Sequence, residues 1–164
     1  MPEKKGEGIL LLKVRPGSIE TALKELHGRA EVQEAEPVLG PYDMVVTGAF
    51  KDIEELHRFS SAIIAAEFCE DCVENVSLDR WAREEPQRGA AAAWTLINAA
   101  NPGRVAAELR KVPAVNAVFS TIGAYDVIAK LAAQSPRELQ DSILGQIQTL
   151  EGIRRTESLA MPGE

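Results

Sequence analysis

The sequence carries one short tyrosine–aspartate motif twice, as Gly-Pro-Tyr-Asp at residues 40–43 and as Gly-Ala-Tyr-Asp at residues 123–126. Apolar runs flank both copies, which is typical of a turn between two β-strands. At such a turn a carboxylate can accept hydrogen bonds from an ammonium group, and backbone N–H groups beside glycine can hold a carboxylate. The alternative is structural, because a turn aspartate often bonds nearby backbone and a tyrosine packs its ring with the hydroxyl in water. The motif therefore predicts either a binding site or a pair of structural turns.

A second group of reactive side chains is the pair Cys69 and Cys72, spaced Cys-x-x-Cys. The spacing suits a redox pair or half of a metal site. A structural zinc site needs four ligands, and the chain has only His27 and His57 besides, both on predicted helices among charged neighbours. We therefore expect two reduced thiols at the end of a helix, with no metal and no cofactor. We find no phosphate-binding glycine loop and no nucleophile elbow, so no catalytic residue is predicted.

Charge and hydropathy narrow the classes of partner. The net charge is −7 at pH 7. Residues 1–84 hold 10 Lys and Arg against 17 Asp and Glu, whereas residues 85–164 hold 8 of each. Neither half offers the basic face that phosphate binding needs, so we expect no direct contact with nucleic acid. No apolar run approaches the roughly 20 residues of a membrane span, and the polar N-terminus lacks a signal-peptide core. These features predict no membrane partner and a cytoplasmic location.

The motif belongs to a longer internal repeat. Aligned without a gap, residues 40–56 and 123–139 are identical at 6 of 17 positions. A repeat of about 80 residues is too long for a solenoid unit and long enough for a small domain. We predict a first module over residues 8–81, a linker over residues 82–91 and a second module over residues 92–161.

Apolar periodicity, caps and turns predict the same six elements in each module. Asp52 with Glu55, and Ser135 with Glu138, are capping boxes that open the second helix of each module. The predicted strands are 8–14, 31–39, 44–50, 73–81, 92–98, 114–121, 126–132 and 153–160. The predicted helix caps are Ser18, Asp52, Asn101 and Ser135. In the two helices with capping boxes, the residues predicted to face inward are Ile53, Leu56, Ile63, Ile64, Leu139, Ile143 and Ile147.

The order strand–helix–strand–strand–helix–strand is that of a ferredoxin-like βαββαβ module, an α+β fold with two helices on one face of a four-stranded sheet. Residues 10–12, 44–46 and 127–128 are apolar at consecutive positions, whereas a strand with one solvated face should alternate. The second face of each sheet must therefore be covered. Sheets paired face to face, within the chain or between chains, would give a dimeric α/β-barrel-like assembly, and we expect a homo-oligomer.

These features together resemble the ligand-binding domain of the leucine-responsive/asparagine-responsive (Lrp/AsnC) regulators. The element order, the Gly-x-Tyr-Asp turn before an apolar strand, and Gly-Ile-Arg-Arg-Thr-Glu-Ser-Leu at residues 152–159 carry the resemblance. Val-Pro-Ala-Val at residues 112–115 is similar to the family's passage from helix to strand. The resemblance covers nearly all of residues 92–161, and it covers residues 8–80 through element order and the turn.

The resemblance implies a protein that binds an amino acid or a similar small metabolite and assembles into oligomers. It places Asn75 and Ser77 of the first module where the second has Thr156 and Ser158. The implied ligand-binding residues are Gly123, Tyr125, Asp126, Thr156 and Ser158 in the second module, and Gly40, Tyr42 and Asp43 in the first.

Family regulators carry a helix-turn-helix domain before this module, whereas here seven residues precede the first predicted strand. We therefore expect a non-catalytic, stand-alone tandem of ligand-binding modules. Its expected partners are a small-molecule effector, further copies of itself and a DNA-binding regulator of the same family. Two alternatives stay open. One is an enzyme of the dimeric α/β-barrel class, such as a small monooxygenase, and the other is a purely structural assembly module.

Overall fold

A computed structural model describes residues 6–162 of the chain. The chain splits into two compact units, Met1–Ser77 (unit 1) and Leu78–Glu164 (unit 2). The elements that begin in unit 1 are β1 (Gly6–Val14), α1 (Ile19–His27), β2 (Val32–Pro37), β3 (Met44–Phe50), α2 (Ile53–Ala65) and β4 (Cys69–Ala82), whose last residues belong to unit 2. Those of unit 2 are β5 (Ala91–Ala99), α3 (Pro102–Leu109), β6 (Val115–Gly123), β7 (Val127–Ala133), α4 (Pro136–Ser142), a π-helical segment (Ile143–Ile147) and β8 (Ile153–Ala160).

Each unit has the strand order of a ferredoxin-like sheet. The order is β2-β3-β1-β4 in unit 1 and β6-β7-β5-β8 in unit 2, and the paired strands of both units are antiparallel. Pro37 lies on β2 at the edge of this order, where proline is tolerated because it has no N–H to donate to a second neighbour. The predicted α+β class with two βαββαβ modules is confirmed.

Both faces of the first strand of each unit are buried. In unit 1, Leu10 and Leu12 pack against the helices in a core with Leu26, Met44 and Ile63. Their neighbours on the opposite face are buried as well, since Ile9 and Leu11 are each 0% exposed. The corresponding core of unit 2 contains Ile97, Leu109, Val127, Leu131 and Ile147.

The buried stripe of α2 differs from the predicted one. Leu56 and Ile63 are buried as predicted, but Ile53 and Ile64 are 56% and 52% exposed. The stripe is instead completed by Phe59 and Ser60, because side chains at positions i, i+3, i+4 and i+7 share one face of a helix. The prediction that Ile53 and Ile64 face inward is therefore wrong.

The two predicted capping boxes are present. The side chain of Asp52 accepts from the Glu55 N–H at 2.9 Å, and that of Ser135 accepts from the Glu138 N–H at 3.2 Å. The carboxylates of Glu55 and Glu138 accept from the N–H of the residue before each cap, at 3.2 and 3.1 Å. Ser18 occupies the cap position of α1 but makes no side-chain capping bond.

A helix follows Ser135, as its capping box predicts. It is α-helical only to Ser142 and continues as the π-helical segment, which ends at Ile147. Leu139 and Ile147 are buried as predicted. In the described part of the chain, no helix is long and apolar enough to cross a membrane.

The predicted linker, residues 82–91, lies within unit 2 and is hydrogen-bonded to other parts of that unit. The Arg83 guanidinium donates to the carbonyl oxygens of Val112 and Val115, both at 3.0 Å. The Gln87 N–H donates to the side chain of Asn116 at 2.8 Å, and the Asn116 amide donates back to the Gln87 carbonyl at 2.9 Å. The Arg83 side chain thus satisfies two backbone carbonyls, and the Asn116 side chain satisfies the backbone of Gln87.

Candidate functional site

Asp126 ties the second turn to the end of β5. Its carboxylate accepts from the Ala99 N–H at 3.0 Å, and its own N–H donates to the Ile97 carbonyl at 2.9 Å. The strand register shifts between Asn98 and Ala99, and the carboxylate takes up the N–H that this irregularity turns away from the ladder. The side chain of Asp126 therefore has a structural partner.

Asp43 makes the same contacts in unit 1. Its carboxylate accepts from the Val14 N–H at 2.8 Å, and its N–H donates to the Leu12 carbonyl at 2.8 Å. Gly40 and Gly123 open the two turns with φ of 143° and 155°, a region that side chains disfavour. The structural alternative for the motif is thus realised in both copies, and contact of these four residues with a ligand stays a prediction.

Tyr125 leads from the second turn to a charged pair on β8. The ring is buried, and its hydroxyl donates to Glu157 Oε2 at 2.6 Å. The other oxygen of Glu157 accepts from the guanidinium of Arg155. Beside them, the Asn98 amide donates to the Ala124 carbonyl at 3.0 Å. We call Asn98, Tyr125, Arg155 and Glu157 the second-turn cluster.

The two charged residues of the second-turn cluster differ in their exposure to solvent. The side chain of Glu157 is 19% exposed and that of Arg155 is 68% exposed. The sequence interpretation missed both residues because it read only the uncharged polar positions of the last strand. The available signal was the period of two, which puts residues 155 and 157 on the face opposite to Thr156 and Ser158.

Thr156 and Ser158 lie on the helix side of β8. The Gln148 amide donates to Thr156 Oγ1 at 3.1 Å, and the hydroxyls of Ser158 and Thr95 are 3.2 Å apart. Both residues line an open groove of about 510 Å³ against α4 and the π-helical segment. The structure therefore brings Thr156 and Ser158 together, and Tyr125 together with Glu157, but it keeps the two sets on opposite faces of β8.

The strand register fixes which residues of unit 1 correspond to this strand. Leu12 and Ile97 each accept from the turn aspartate of their unit, so they are equivalent. Leu12 is paired with Cys72, and Ile97 is paired with Thr156. Cys72 is therefore the counterpart of Thr156, and by the same register Val73 and Glu74 are the counterparts of Glu157 and Ser158. The sequence-based match of Asn75 and Ser77 to Thr156 and Ser158 is replaced by this one.

The first turn consequently has a different neighbourhood. Tyr42 is half-buried, but Val73 occupies the strand position that Glu157 has in unit 2. The structure thus places Gly40, Tyr42 and Asp43 together at a turn, with Val73 at the strand position that is equivalent to Glu157.

The two cysteines lie in β4 rather than at the end of a helix. Cys69 is buried and donates to the Asp71 carbonyl, with 3.3 Å between sulfur and oxygen, while the Cys72 sulfur is 3.7 Å from the Ser60 hydroxyl. Burial raises the pKa of both thiols above 9.0, that of Cys72 to about 12, so both are protonated near neutral pH. Across residues 6–162 no group of three or more His, Cys, Asp or Glu side chains is placed to hold a metal ion.

The fold and the duplicated turn define a protein of two tandem ferredoxin-like units. The sequence model "Lrp/AsnC ligand binding domain" matches residues 7–85 and 96–161. The chain therefore belongs to the Lrp/AsnC ligand-binding domain family, as the sequence predicted. No curated protein matches the sequence.

Some solved structures that are similar to this chain match about half of it, and others match nearly all of it. A protein from Thermus thermophilus is 29% identical over 45% of this chain and 95% of its own length, with a TM-score of 0.43. The siroheme decarboxylase NirDL is 10% identical over 97% of this chain and 72% of its own, with a TM-score of 0.77. The chlorite dismutase from Candidatus Nitrospira defluvii is 9% identical over 99% of this chain and 92% of its own, with a TM-score of 0.53.

These whole-chain likenesses correct one prediction. We expected a non-catalytic protein, and this expectation is contradicted, because the structures that match nearly the whole chain are enzymes by name. Identities of 9–10% establish a shared fold alone, so no particular reaction follows for this chain.

Proposed function

We propose that this protein is an effector-binding module whose second-turn cluster binds the charged end of an amino acid or a close relative. One observation carries the proposal. Tyr125 and Arg155 converge on Glu157, so a carboxylate, a hydroxyl and a guanidinium lie together at the edge of an exposed turn. These are the groups that an α-ammonium and an α-carboxylate require.

Binding would be an exchange of partners. The ligand's ammonium group takes the place of Arg155 at Glu157, and its carboxylate takes the released guanidinium. The exchange keeps every charge paired, which avoids the cost of an unpaired charge in a partly buried site. The Arg155 side chain is 68% exposed, and solvent screening limits an ion pair at the surface to about 0–1 kcal/mol, so Arg155 competes weakly with a ligand for Glu157.

The proposal assigns this site to unit 2. Val73 offers neither charge nor hydrogen bond where Glu157 stands. Gly40, Tyr42 and Asp43 would then hold the first turn in shape without binding the same ligand. In unit 2, Gly123 and Asp126 would position the turn, and Tyr125 would contact the ligand. Glu157 would pair with the ammonium group of the ligand, and Arg155 would pair with its carboxylate.

The test is thermal unfolding with each of the twenty amino acids at millimolar concentration. A ligand at 100 times its dissociation constant should raise the free energy of unfolding by about 2.7 kcal/mol. For a responding amino acid, we expect Glu157→Gln and Arg155→Gln to weaken binding at least tenfold. Arg154→Gln, an exposed neighbour on the same strand, is the matched control and should bind as wild type. An affinity that is unchanged in Glu157→Gln, or a panel without any shift, would overturn the proposal.

The same proposal includes the partners of the chain. A net charge of −7 opposes binding to a phosphate backbone, so regulation of a promoter would act through a DNA-binding member of the family or through further copies of this chain. Fluorescence anisotropy with random-sequence duplex DNA at 50 mM salt should show no binding. Light scattering should show an assembly larger than one chain, and a DNA affinity that falls steeply with added salt would contradict this part.

A further inference from the structure

A different groove lies on the other side of α4, and its described lining has no residue in common with the groove at Thr156 and Ser158. Its volume is about 510 Å³, which is within the range of small-molecule sites. It is bounded by the predicted linker, the connection from α3 to β6, the end of β7, and α4 with the π-helical segment. We call it the linker groove. Its described lining also includes no residue of the second-turn cluster.

The linker side of this groove is held in place by hydrogen bonds within unit 2. Gln87, which lines the groove, exchanges two hydrogen bonds with the Asn116 side chain, at 2.8 and 2.9 Å. The side-chain amide of Gln134, another lining residue, donates to the Arg88 carbonyl at 3.0 Å. The linker therefore forms a wall of defined position rather than a loose connection.

The linker also approaches β7 more closely than a side chain would permit. A Cβ added to Gly89 would come within 1.9 Å of the Ala133 carbonyl oxygen, so this contact requires glycine. The atom that would be met is backbone, which cannot turn aside as the end of a flexible side chain can. A ligand of the linker groove would thus meet a preformed wall, which lowers the ordering cost of binding.

The helix side of the groove carries two carboxylates. Glu138 and Asp141 both line the groove, and side chains at positions i and i+3 of a helix are neighbours, with about 5–6 Å between their Cβ atoms. The capping box orients Glu138, because its Oε2 accepts from the Gln134 N–H at 3.1 Å. Within residues 6–162, the Asp141 carboxylate has no ion-pair or hydrogen-bond partner.

The charge of the lining determines which ligands fit. No Lys, Arg or His side chain is among the described residues of the lining, so no cation of the lining offsets the repulsion between neighbouring carboxylates on the helix. The other polar side chains are the amides of Gln87, Gln134 and Gln146 and the hydroxyl of Ser142, whose oxygens can accept hydrogen bonds. A cation would relieve the repulsion, whereas an anion would add to it.

The apolar part of the lining is made of small side chains. It consists of Pro113, Ala114, Ala132 and Ala133. Gly145 adds no side chain, and a Cβ placed there would meet no atom within 4 Å. The groove therefore has space for a slender hydrocarbon chain, and burial of such a chain is favourable.

We propose that the linker groove binds a small aliphatic cation, an alkyl chain that carries an ammonium or guanidinium group. The cationic group lies between Glu138 and Asp141, oxygens of Gln134 and Ser142 accept its remaining N–H bonds, and the alkyl chain lies against Ala132. The site uses no residue of the second-turn cluster, so it does not depend on the amino-acid proposal.

The test is a titration of ¹⁵N-labelled protein with 1,4-diaminobutane and with 1,4-butanediol, which has a similar length and no charge. The ionic strength is kept constant, because salt screens exposed charges. We expect the diamine to shift the backbone signals of Gln87, Gln134 and Gly145 in a saturable manner, and the diol to bind at least tenfold more weakly. Equal binding of the two probes would overturn the ligand class, and absence of saturable shifts would overturn the site.

Charge-removing variants distinguish this site from a general attraction of cations to an acidic protein. Asp141→Asn keeps the shape of the side chain and should weaken diamine binding at least threefold. Glu151→Gln removes the same charge from an exposed position outside the groove and should bind as wild type. Equal weakening by the two substitutions would overturn the site. Glu157→Gln, which tests the amino-acid proposal, should leave diamine binding unchanged, so the two proposals can fail separately.

Asn116→Ala tests the role of the linker. Asn116 is not among the described lining residues, and its replacement removes both hydrogen bonds that hold Gln87. It should weaken diamine binding severalfold, while a dispersed spectrum shows that unit 2 is folded. Unchanged binding in the folded variant would overturn the role of the linker wall. Should the variant not fold, Asp141→Asn decides the outcome alone, since its unchanged affinity for the diamine would overturn the proposal.

Discussion

The carboxylate of Asp126 accepts a hydrogen bond from the backbone N–H of Ala99, and Asp43 repeats this contact on Val14. In both units the bonded N–H lies at the last residue of the first strand, where the register with the fourth strand shifts. The motif that first suggested a binding site therefore also has a structural role, because its aspartate binds the end of the first strand in each unit. A turn shaped by its aspartate can present the neighbouring tyrosine, which in unit 2 reaches Glu157.

Replacing Asp126 by alanine should destabilise the fold rather than only weaken ligand binding. The substitution removes a charge-assisted hydrogen bond and leaves the Ala99 N–H without its partner, which costs about 1.5–3 kcal/mol. Chemical denaturation at pH 7 measures the loss. Glu151→Ala, which breaks only the exposed pair with Arg104, should cost under about 1 kcal/mol. Equal effects of the two substitutions would show that the Asp126 contact contributes little.

The helix caps give a second comparison within one chain. Ser135→Ala should lower the free energy of unfolding by about 0.5–2 kcal/mol, because its oxygen accepts from the Glu138 N–H. Ser18→Ala removes a serine from the cap position of α1 that makes no capping bond, so its effect should be within about 0.5 kcal/mol. Urea titrations of both variants measure the difference, and a larger loss for Ser18→Ala would contradict the structure.

Neighbouring isoleucines on α2 test the helix face. Ile63 is 0% exposed and Ile64 is 52% exposed. Ile63→Ala should cost about 2–5 kcal/mol, since it leaves a cavity in the core of unit 1. Ile64→Ala removes a side chain that is largely in water and should change the free energy of unfolding by about 0.5 kcal/mol or less. The reverse order would mean that Ile64, and not Ile63, faces the core, as the sequence prediction for Ile64 had it.

Local signals were sufficient to predict most of the fold. The capping residues Asp52 and Ser135 mark helix starts, and the Gly-x-Tyr-Asp turns mark strand ends, because each depends on hydrogen bonds among residues close in sequence. The inward face of α2 could not be found completely in this way. An alignment of residues 40–56 with residues 123–139 ends before Ile63, and helical periodicity fits Ile63 and Ile64 about equally well, although only Ile63 is buried.

The site was only partly predictable for a related reason. Tyr125 was found from its own motif, whereas its partner Glu157 lies 32 residues away. That pairing depends on the register between β5 and β8, which apolar alternation does not specify for polar residues on an edge strand. The separation of Thr156 from Tyr125 has the same origin, since a one-residue difference along a strand reverses the face.

Because of the Cys72 thiol, the free energy of unfolding of unit 1 should decrease at alkaline pH. Burial raises its pKa from 9.0 to about 12, so the unfolded chain loses this proton first as the pH rises. The stability that this group contributes is fully present below pH 9 and is lost as the pH rises from about 9 to about 12. In a Cys69→Ala background, the free energy of unfolding should therefore fall more between pH 9 and 11 than it does when Cys72 is also alanine.

Alkylation rates give an independent check on the same thiol. Near pH 8 the native Cys72 should react with iodoacetamide at least tenfold more slowly than in denaturant, because the thiolate is the nucleophile and burial suppresses it. The comparison again uses the Cys69→Ala background, so that one thiol is observed. A native rate equal to that of the denatured chain would show that Cys72 is accessible and ionises normally, and the alkaline loss of stability would then need another source.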